Sequence, residues 1–177
     1  MNHFDEAIKY LLQVEGGFVN NPLDSGGPTC WGVTARQLSL FRNRPVTEAD
    51  IANLGADEAT RLYKALYWDT MKLTLINDRR IALVLFDQAV NRGVYSAAFQ
   101  AQTVLNALGA QVSTDGILGM KTAQVLNLVD PESFSLRYIQ ASQLFYAGLC
   151  VKNPSQLLFL RGWLARTHTL ERAVLFG

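Results

Sequence analysis

The chain of 177 residues has little of what marks the more specialised protein classes. It carries 16 basic against 15 acidic side chains, a net charge of +1, so no excess of either sign is available. Nucleic-acid binders usually show a strongly basic balance, and no nucleic-acid partner is expected. The 2 cysteines, Cys30 and Cys150, make neither a disulfide framework nor a metal-site spacing. They read as two small apolar residues in a reducing compartment. Apolar runs such as LFYAGLCV fall far short of the roughly 20 residues that cross a bilayer, so no membrane insertion is expected. Asp5, Glu6 and Lys9 interrupt the stretch where a secretory leader would keep an uncharged core, which predicts synthesis in the cytoplasm. A phosphate loop, a dinucleotide fingerprint and an HExxH pair are all missing, and no metal or organic cofactor is implied. His3 and His168 sit near the ends on helical segments and read as surface residues.

What is present is an ordinary globular composition, 49% hydrophobic and 18% charged, patterned almost throughout for helices. Phe4, Ile8, Leu11 and Leu12 recur at helical spacing, predicting a helix over 3–15 ended by Gly16 or Gly17. From 18 to 33 the pattern stops, and NNP, DSGGP and TCWGV suit either an irregular loop or a small hairpin. Thr34 can cap a helix to about Phe41, TEAD at 47–50 is a capping-box pattern, and Asp57 can open a helix carrying Leu62, Leu66 and Tyr67. DRRIALVLFDQAVNRG is apolar almost all round, which marks a buried central helix over 78–93. SAAFQAQTVLNALG reads as the next helix. Asp130-Pro131 and Asn153-Pro154 are cap-then-proline starts for helices near 131–149 and 154–175. The sum is a mainly α globule with one polar loop in its first third.

The stretch EGGFVNNPLDSGGPT carries the chemistry. A glutamate at a helix C-terminus meets unpaired carbonyls and the negative end of the helix dipole. Partial burial by neighbours such as Phe18 and Trp31 would disfavour its charge further. Both effects favour the protonated acid that a general acid must be, which makes Glu15 the candidate. Asp24 lies nine residues on, in a glycine-rich loop with many backbone donors, and should stay ionised. Two carboxyls held in opposite protonation states are what glycoside hydrolysis needs. Thr29 can hold a water beside Asp24, and Gly26 and Gly27 let backbone approach a sugar ring. The same residues also suit a plain helix end followed by a plain turn.

With these residues in view, EGGFVNNPLDSGGPTCWGVT resembles the opening signature of glycoside hydrolase family 108, the phage- and prophage-encoded N-acetylmuramidases of the lysozyme superfamily. Glu15, Gly16, Gly17, Phe18, Asn20, Pro22, Asp24, Gly26, Gly27, Thr29 and Gly32 match the pattern. YWD at 67–69 and LFDQAVNRG at 85–93 are similar to further family segments. DGILGMKT (115–122) and LRGWLARTHTL (160–170) resemble the peptidoglycan-binding type 3 segment that follows. Asn21 stands where Asp is common, Met120 replaces a usual proline, and Cys30 and Trp31 are this chain's own choices.

The resemblance implies a lysozyme-like, mainly α fold with a muramidase region over 1–93 and a peptidoglycan-binding-like helical region over 94–177, packed into one unit. It implies cleavage of the β-1,4 bond between N-acetylmuramic acid and N-acetylglucosamine, with Glu15 catalytic. By analogy with phage-type lysozymes it adds Asp24 and Thr29. Peptidoglycan glycan strands are the implied partner of a monomeric endolysin that reaches the wall through a holin lesion or another export route. Substrate contacts are expected from Asn20, Gly26, Gly27, Trp31, Tyr67, Trp68 and Asn91, although aromatics at helical spacing are as readily core residues. Asp87, if buried, needs a backbone or arginine partner. A lytic transglycosylase and a non-catalytic peptidoglycan-binding or secretion-assisting protein are the alternatives.

Overall fold

Side-chain caps at Thr34, Thr47, Asp78 and Asp130 open helices in the computed structural model, which describes residues 3–15 and 29–177, with the backbone alone of Glu15. The predicted cap at Gly16 or Gly17 and the candidates Asn20, Asp24, Gly26 and Gly27 lie outside the described residues. The chain divides into two units, Met1–Thr70 and Met71–Gly177.

In the first unit, helix α1 (His3–Glu15) buries Phe4, Ala7, Ile8 and Leu11, one face at the expected spacing. Strands β1 (Thr29–Cys30) and β2 (Val33–Thr34) then form a two-stranded antiparallel hairpin pairing Thr29 with Thr34 and Cys30 with Val33. Of the two readings of this stretch, the hairpin is the one realised. Helix α2 (Ala35–Arg42) opens on Thr34, whose hydroxyl accepts from Gln37 N–H while the Gln37 side chain reaches back. Helix α3 (Glu48–Ala52) opens on Thr47 with Asp50 in the same reciprocal role. Helix α4 (Ala56–Tyr63) starts from Gly55, ahead of the expected Asp57, and runs into a π-helical turn over Lys64–Trp68. There Asp69 N–H donates to the Lys64 carbonyl at 2.8 Å, five residues back.

Arg42 ties three of these helices together. Its guanidinium meets Glu58 of α4 through two hydrogen bonds of 2.8 Å each and Asp50 of α3 at 2.5 Å. Arg44 adds a bond of 2.8 Å to Asp50. Hydrogen bonds from Arg44, then Thr47, hold the Asp50 carboxyl well below the usual range, and Arg42 does the same for Glu58. Both folded-state values are depressed, so their contribution is present above the ordinary carboxylate pKa and is lost as pH falls through the folded values.

The second unit is built round helix α5 (Arg79–Arg92), whose residues from Ile81 to Ala89 are all buried, as the all-round apolar pattern predicts. It packs against α6 (Val94–Ala107), α8 (Pro131–Lys152) and α9 (Leu157–Phe176). A 3₁₀ turn (Leu73–Leu75) precedes it, and α7 (Met120–Leu126) follows the DGILGMKT turn. Asp115 accepts from Ile117 N–H at 2.9 Å, and Gly116 takes φ 74 with the Tyr95 ring where a Cβ would stand. Asp130 and Asn153 cap as expected, but Pro154–Gln156 is a 3₁₀ turn from which α9 starts at Leu157. Cys30 and Cys150 are free and buried.

Asp87, fully buried at 0% exposure on α5, finds the arginine partner that its burial demands. Arg166 of α9 meets it with Nη2 at 2.9 Å and Nε at 3.0 and 3.2 Å from the two carboxylate oxygens. Asp87→Ala strands a buried guanidinium and is expected to cost about 3–5 kcal/mol in urea unfolding, whereas Asp87→Leu with Arg166→Met recovers most of that loss. Acid titration followed by circular dichroism is expected to show stability flat near neutrality and falling below about pH 4, with Arg42→Gln shrinking the acid-sensitive part.

Candidate active site

Helix α1 is described through Glu15, and its last described turn contains no basic residue. A cation there would favour an ionised carboxyl at a helix C-terminus.

The hairpin supplies the neighbouring platform. Its two-residue loop is Trp31-Gly32, with φ 55 and 73, and positive φ at both positions is the signature of a type I′ turn. Glycine takes that conformation freely, but a bulky tryptophan there is strained. Two hydrogen bonds hold it. Trp31 Nε1–H donates to the Leu54 carbonyl at 3.1 Å, and Tyr63 O–H donates to the Trp31 carbonyl at 2.8 Å. Thr29 stands on β1 opposite Thr34 and is half-buried. The indole is thus fixed at a hairpin tip, half-buried and oriented from both its side chain and its backbone.

Tyr67 and Trp68 both fall in the π-helical turn. Tyr67 is 9% exposed, and its hydroxyl accepts from Gln37 Nε2 at 2.5 Å. The same Gln37 accepts from Thr34 N–H at 2.7 Å, so one side chain links the start of α2 to the π turn. Trp68 is 1% exposed and meets the Phe4 ring edge-on with centroids 5.2 Å apart. Its face is taken up by packing, which makes it a core residue and leaves Trp31 as the half-exposed indole of this unit. Tyr63 and Gln37 were not singled out from the sequence, because a tyrosine and a glutamine at ordinary helical positions carry no local signal of what they orient.

Asn91 belongs to the second unit. Its side-chain oxygen accepts from Tyr146 O–H at 2.5 Å, and the same phenol reaches Gln88 Oε1 at 3.1 Å. Gln88 in turn donates to Asp87 at 2.9 Å, so Asn91 is the outer end of the buried Asp87–Arg166 network. Burial pushes the Tyr146 phenol up to about 12, which keeps it a donor at neutral pH. Trp163 stacks on that ring with centroids 4.9 Å apart. Among the described residues, no group of three or more His, Cys, Asp or Glu is placed to hold a metal ion. Nor is any described helix long and apolar enough to cross a membrane.

Residues 8–93 match the model of the Glycosyl hydrolase 108 family, and residues 96–168 match that of the Predicted Peptidoglycan domain. The solved structure of Brucella abortus SagA is similar to the chain at a TM-score of 0.83 and 25% identity, over 97% of this chain and 93% of that one. No curated protein matches it. A mainly α, lysozyme-like fold with a small hairpin, joined to a peptidoglycan domain, defines a glycoside hydrolase that acts on peptidoglycan. It is through residues 8–93 that the chain is similar to the Glycosyl hydrolase 108 family. The family segment runs past the packing division at Thr70 and includes all of α5.

Removing the Tyr63 hydroxyl tests the support of the hairpin tip. Tyr63→Phe is expected to lower stability by about 1 kcal/mol in urea melts and to leave the strained Trp31 carbonyl without its donor. The Trp31 indole N–H then exchanges faster, as read by NMR, while Tyr67→Phe leaves that resonance unchanged.

Proposed function

We propose that the protein is an N-acetylmuramidase that cleaves the β-1,4 bond between N-acetylmuramic acid and N-acetylglucosamine with Glu15 as general acid. The observation that carries the reading is that Glu15 is the last described residue of α1, in a turn with no cation. A place near a helix C-terminus in a turn without a cation favours the protonated carboxyl. Glu15 also falls inside the glycosyl hydrolase segment, where the resemblance sets a catalytic glutamate at this residue.

In this reading Glu15 gives its proton to the glycosidic oxygen as the bond to the muramic acid carbon breaks. Asp24, with Thr29, orients a water that attacks that carbon from the opposite face. Inversion is the expected course, which calls for carboxyls about 6.5–9.5 Å apart, against about 5 Å for a retaining pair. Trp31 supplies a flat apolar face for a sugar ring, supported by its two hydrogen bonds and half-buried position. Its rigidity lowers the entropy lost on binding. The biological setting proposed is that of an endolysin, monomeric and delivered to the wall through a holin lesion or another export route, an idea supported by the phage and prophage members that the opening signature resembles.

Outer-membrane-stripped Gram-negative cells are the substrate for the test. The parent is expected to clear them, and Glu15→Gln to lose about 10²–10⁴-fold in rate while still melting as a folded protein. Mass spectrometry of the digested wall is expected to show reducing muramic acid ends. 1,6-Anhydro ends would instead mean that the sugar's own hydroxyl replaces water, as in a lytic transglycosylase. Equal clearing by parent and Glu15→Gln would leave only a binding protein.

A further inference from the structure

The second unit contains a cavity that glycan cleavage leaves unused. It measures about 320 Å³ and lies where α5 ends beside α6 and α8, lined by Arg92, Ser96, Phe99, Gln100, Ala141 and Phe145 among others. That volume is at the lower end of small-ligand sites. Phe99 and Phe145 are 42% and 39% exposed, so the aromatic wall is open to a visitor.

Arg92 breaks the apolar lining. Its Nε and Nη2 atoms are buried and have no hydrogen-bond partner among the described residues. The guanidinium lies over the Phe145 ring, 4.5 Å from its centroid, and 5.9 Å from that of Tyr146, and it interacts with the Tyr138 phenol; all three are neutral groups that leave its charge uncompensated. Among the described residues no acidic side chain lines the cavity, and Asp87, the nearest carboxylate along α5, is engaged by Arg166. Gln100 is anchored through its Nε2, which donates to the Tyr138 carbonyl at 2.9 Å and the Ser142 hydroxyl at 2.8 Å. Its Oε1 makes no hydrogen bond among the described residues and can accept from an incoming N–H.

A guanidinium fork with no carboxylate partner among the described residues is complementary to a carboxylate, the aromatic wall to a small apolar group, and the glutamine oxygen to a peptide N–H. Peptidoglycan offers that combination in one place. Its sugars are neutral once the muramic carboxyl is joined to peptide, and its free carboxylates sit on the stem peptides beside alanine methyl groups. We propose that this cavity binds a peptidoglycan stem peptide, with Arg92 taking the free carboxylate of the terminal D-alanine and Phe99 and Phe145 taking its methyl group. The proposal rests on the peptidoglycan reading of the chain, but not on which residue cleaves the glycan. Stem recognition would hold the enzyme on the wall between cuts and distinguish peptide-bearing from naked glycan.

The full chain is titrated calorimetrically with a synthetic stem tetrapeptide ending in free D-alanine, with its C-terminal amide, and with a neutral N-acetylglucosamine tetramer. The acid is expected to bind about tenfold or more tightly than the amide, and Arg92→Gln to lose that preference. Glu15→Gln is expected to bind the acid like the parent, and Arg92→Gln to cleave peptide-free glycan at the parental rate, which separates this site from the cleaving one. Equal affinity for acid and amide, no binding of the acid by the parent, or an unchanged preference in Arg92→Gln overturns the proposal. Should Arg92→Gln melt early, Ala141→Leu fills the cavity from α8 with Arg92 intact. It is expected to weaken the acid by the same order, and undiminished binding overturns the idea equally.

Discussion

The second unit depends on a carboxylate that has no access to water. Asp87 sits in the middle of a helix whose every neighbouring side chain is buried, and an ion in that position is tolerable only with close counter-charge and filled hydrogen-bonding capacity. Arg166 supplies the charge and Gln88 a further donor. Because Asp87 belongs to α5 and Arg166 to α9, the pair fixes how the last helix lies against the central one. A purely apolar α5 would pack as tightly but would leave the rotation of α9 less determined. Tyr146, Gln88 and Asn91 extend the same chain of hydrogen bonds outward, so the residue at the open end inherits its orientation from the buried one.

The first unit solves a different problem by different means. Its helices are short and each is marginal alone, so capping and charge carry more of the burden. Thr34 and Thr47 cap, and Arg42 joins α2, α3 and α4 at one guanidinium. That scaffold holds a tryptophan at positive φ, a conformation that a hairpin optimised for stability alone would give to asparagine or glycine. Strain of this kind persists only where surrounding bonds over-determine it, and Leu54 and Tyr63 provide those bonds. The unfavoured glutamate at the end of α1 and the strained indole at the hairpin tip are both departures from stability within one small unit, which is how functional sites usually appear against their scaffold.

Peptidoglycan has two chemically distinct parts, a neutral glycan and a charged peptide, and the two units differ in the same sense. The first presents a half-buried indole, a group suited to the face of a sugar. The second presents a guanidinium among aromatic rings with no carboxylate beside it among the described residues, suited to a peptide carboxylate.

Local signals in the sequence were sufficient wherever the cause was local. The threonine caps at 34 and 47, the Asp130 and Asn153 starts, the all-round apolar α5 and the small-hairpin option all follow from residues within a few positions of one another. The family signature in the first third was likewise readable from short-range spacing. The π turn over Lys64–Trp68 was not, because a shift from fourth- to fifth-neighbour bonding is settled by where Tyr67 and Trp68 must pack. Burial of Trp68 follows from the same packing, and the amphipathic pattern could not separate it from a sugar platform. The sequence by itself determined the helical class and the caps at Thr34, Thr47 and Asp130, since each rests on short-range backbone physics. Tertiary structure alone decided that Arg166 answers Asp87 across 79 residues, that Tyr146 claims Asn91, and that Arg92 lies among aromatic rings, because partners are assigned by proximity in space.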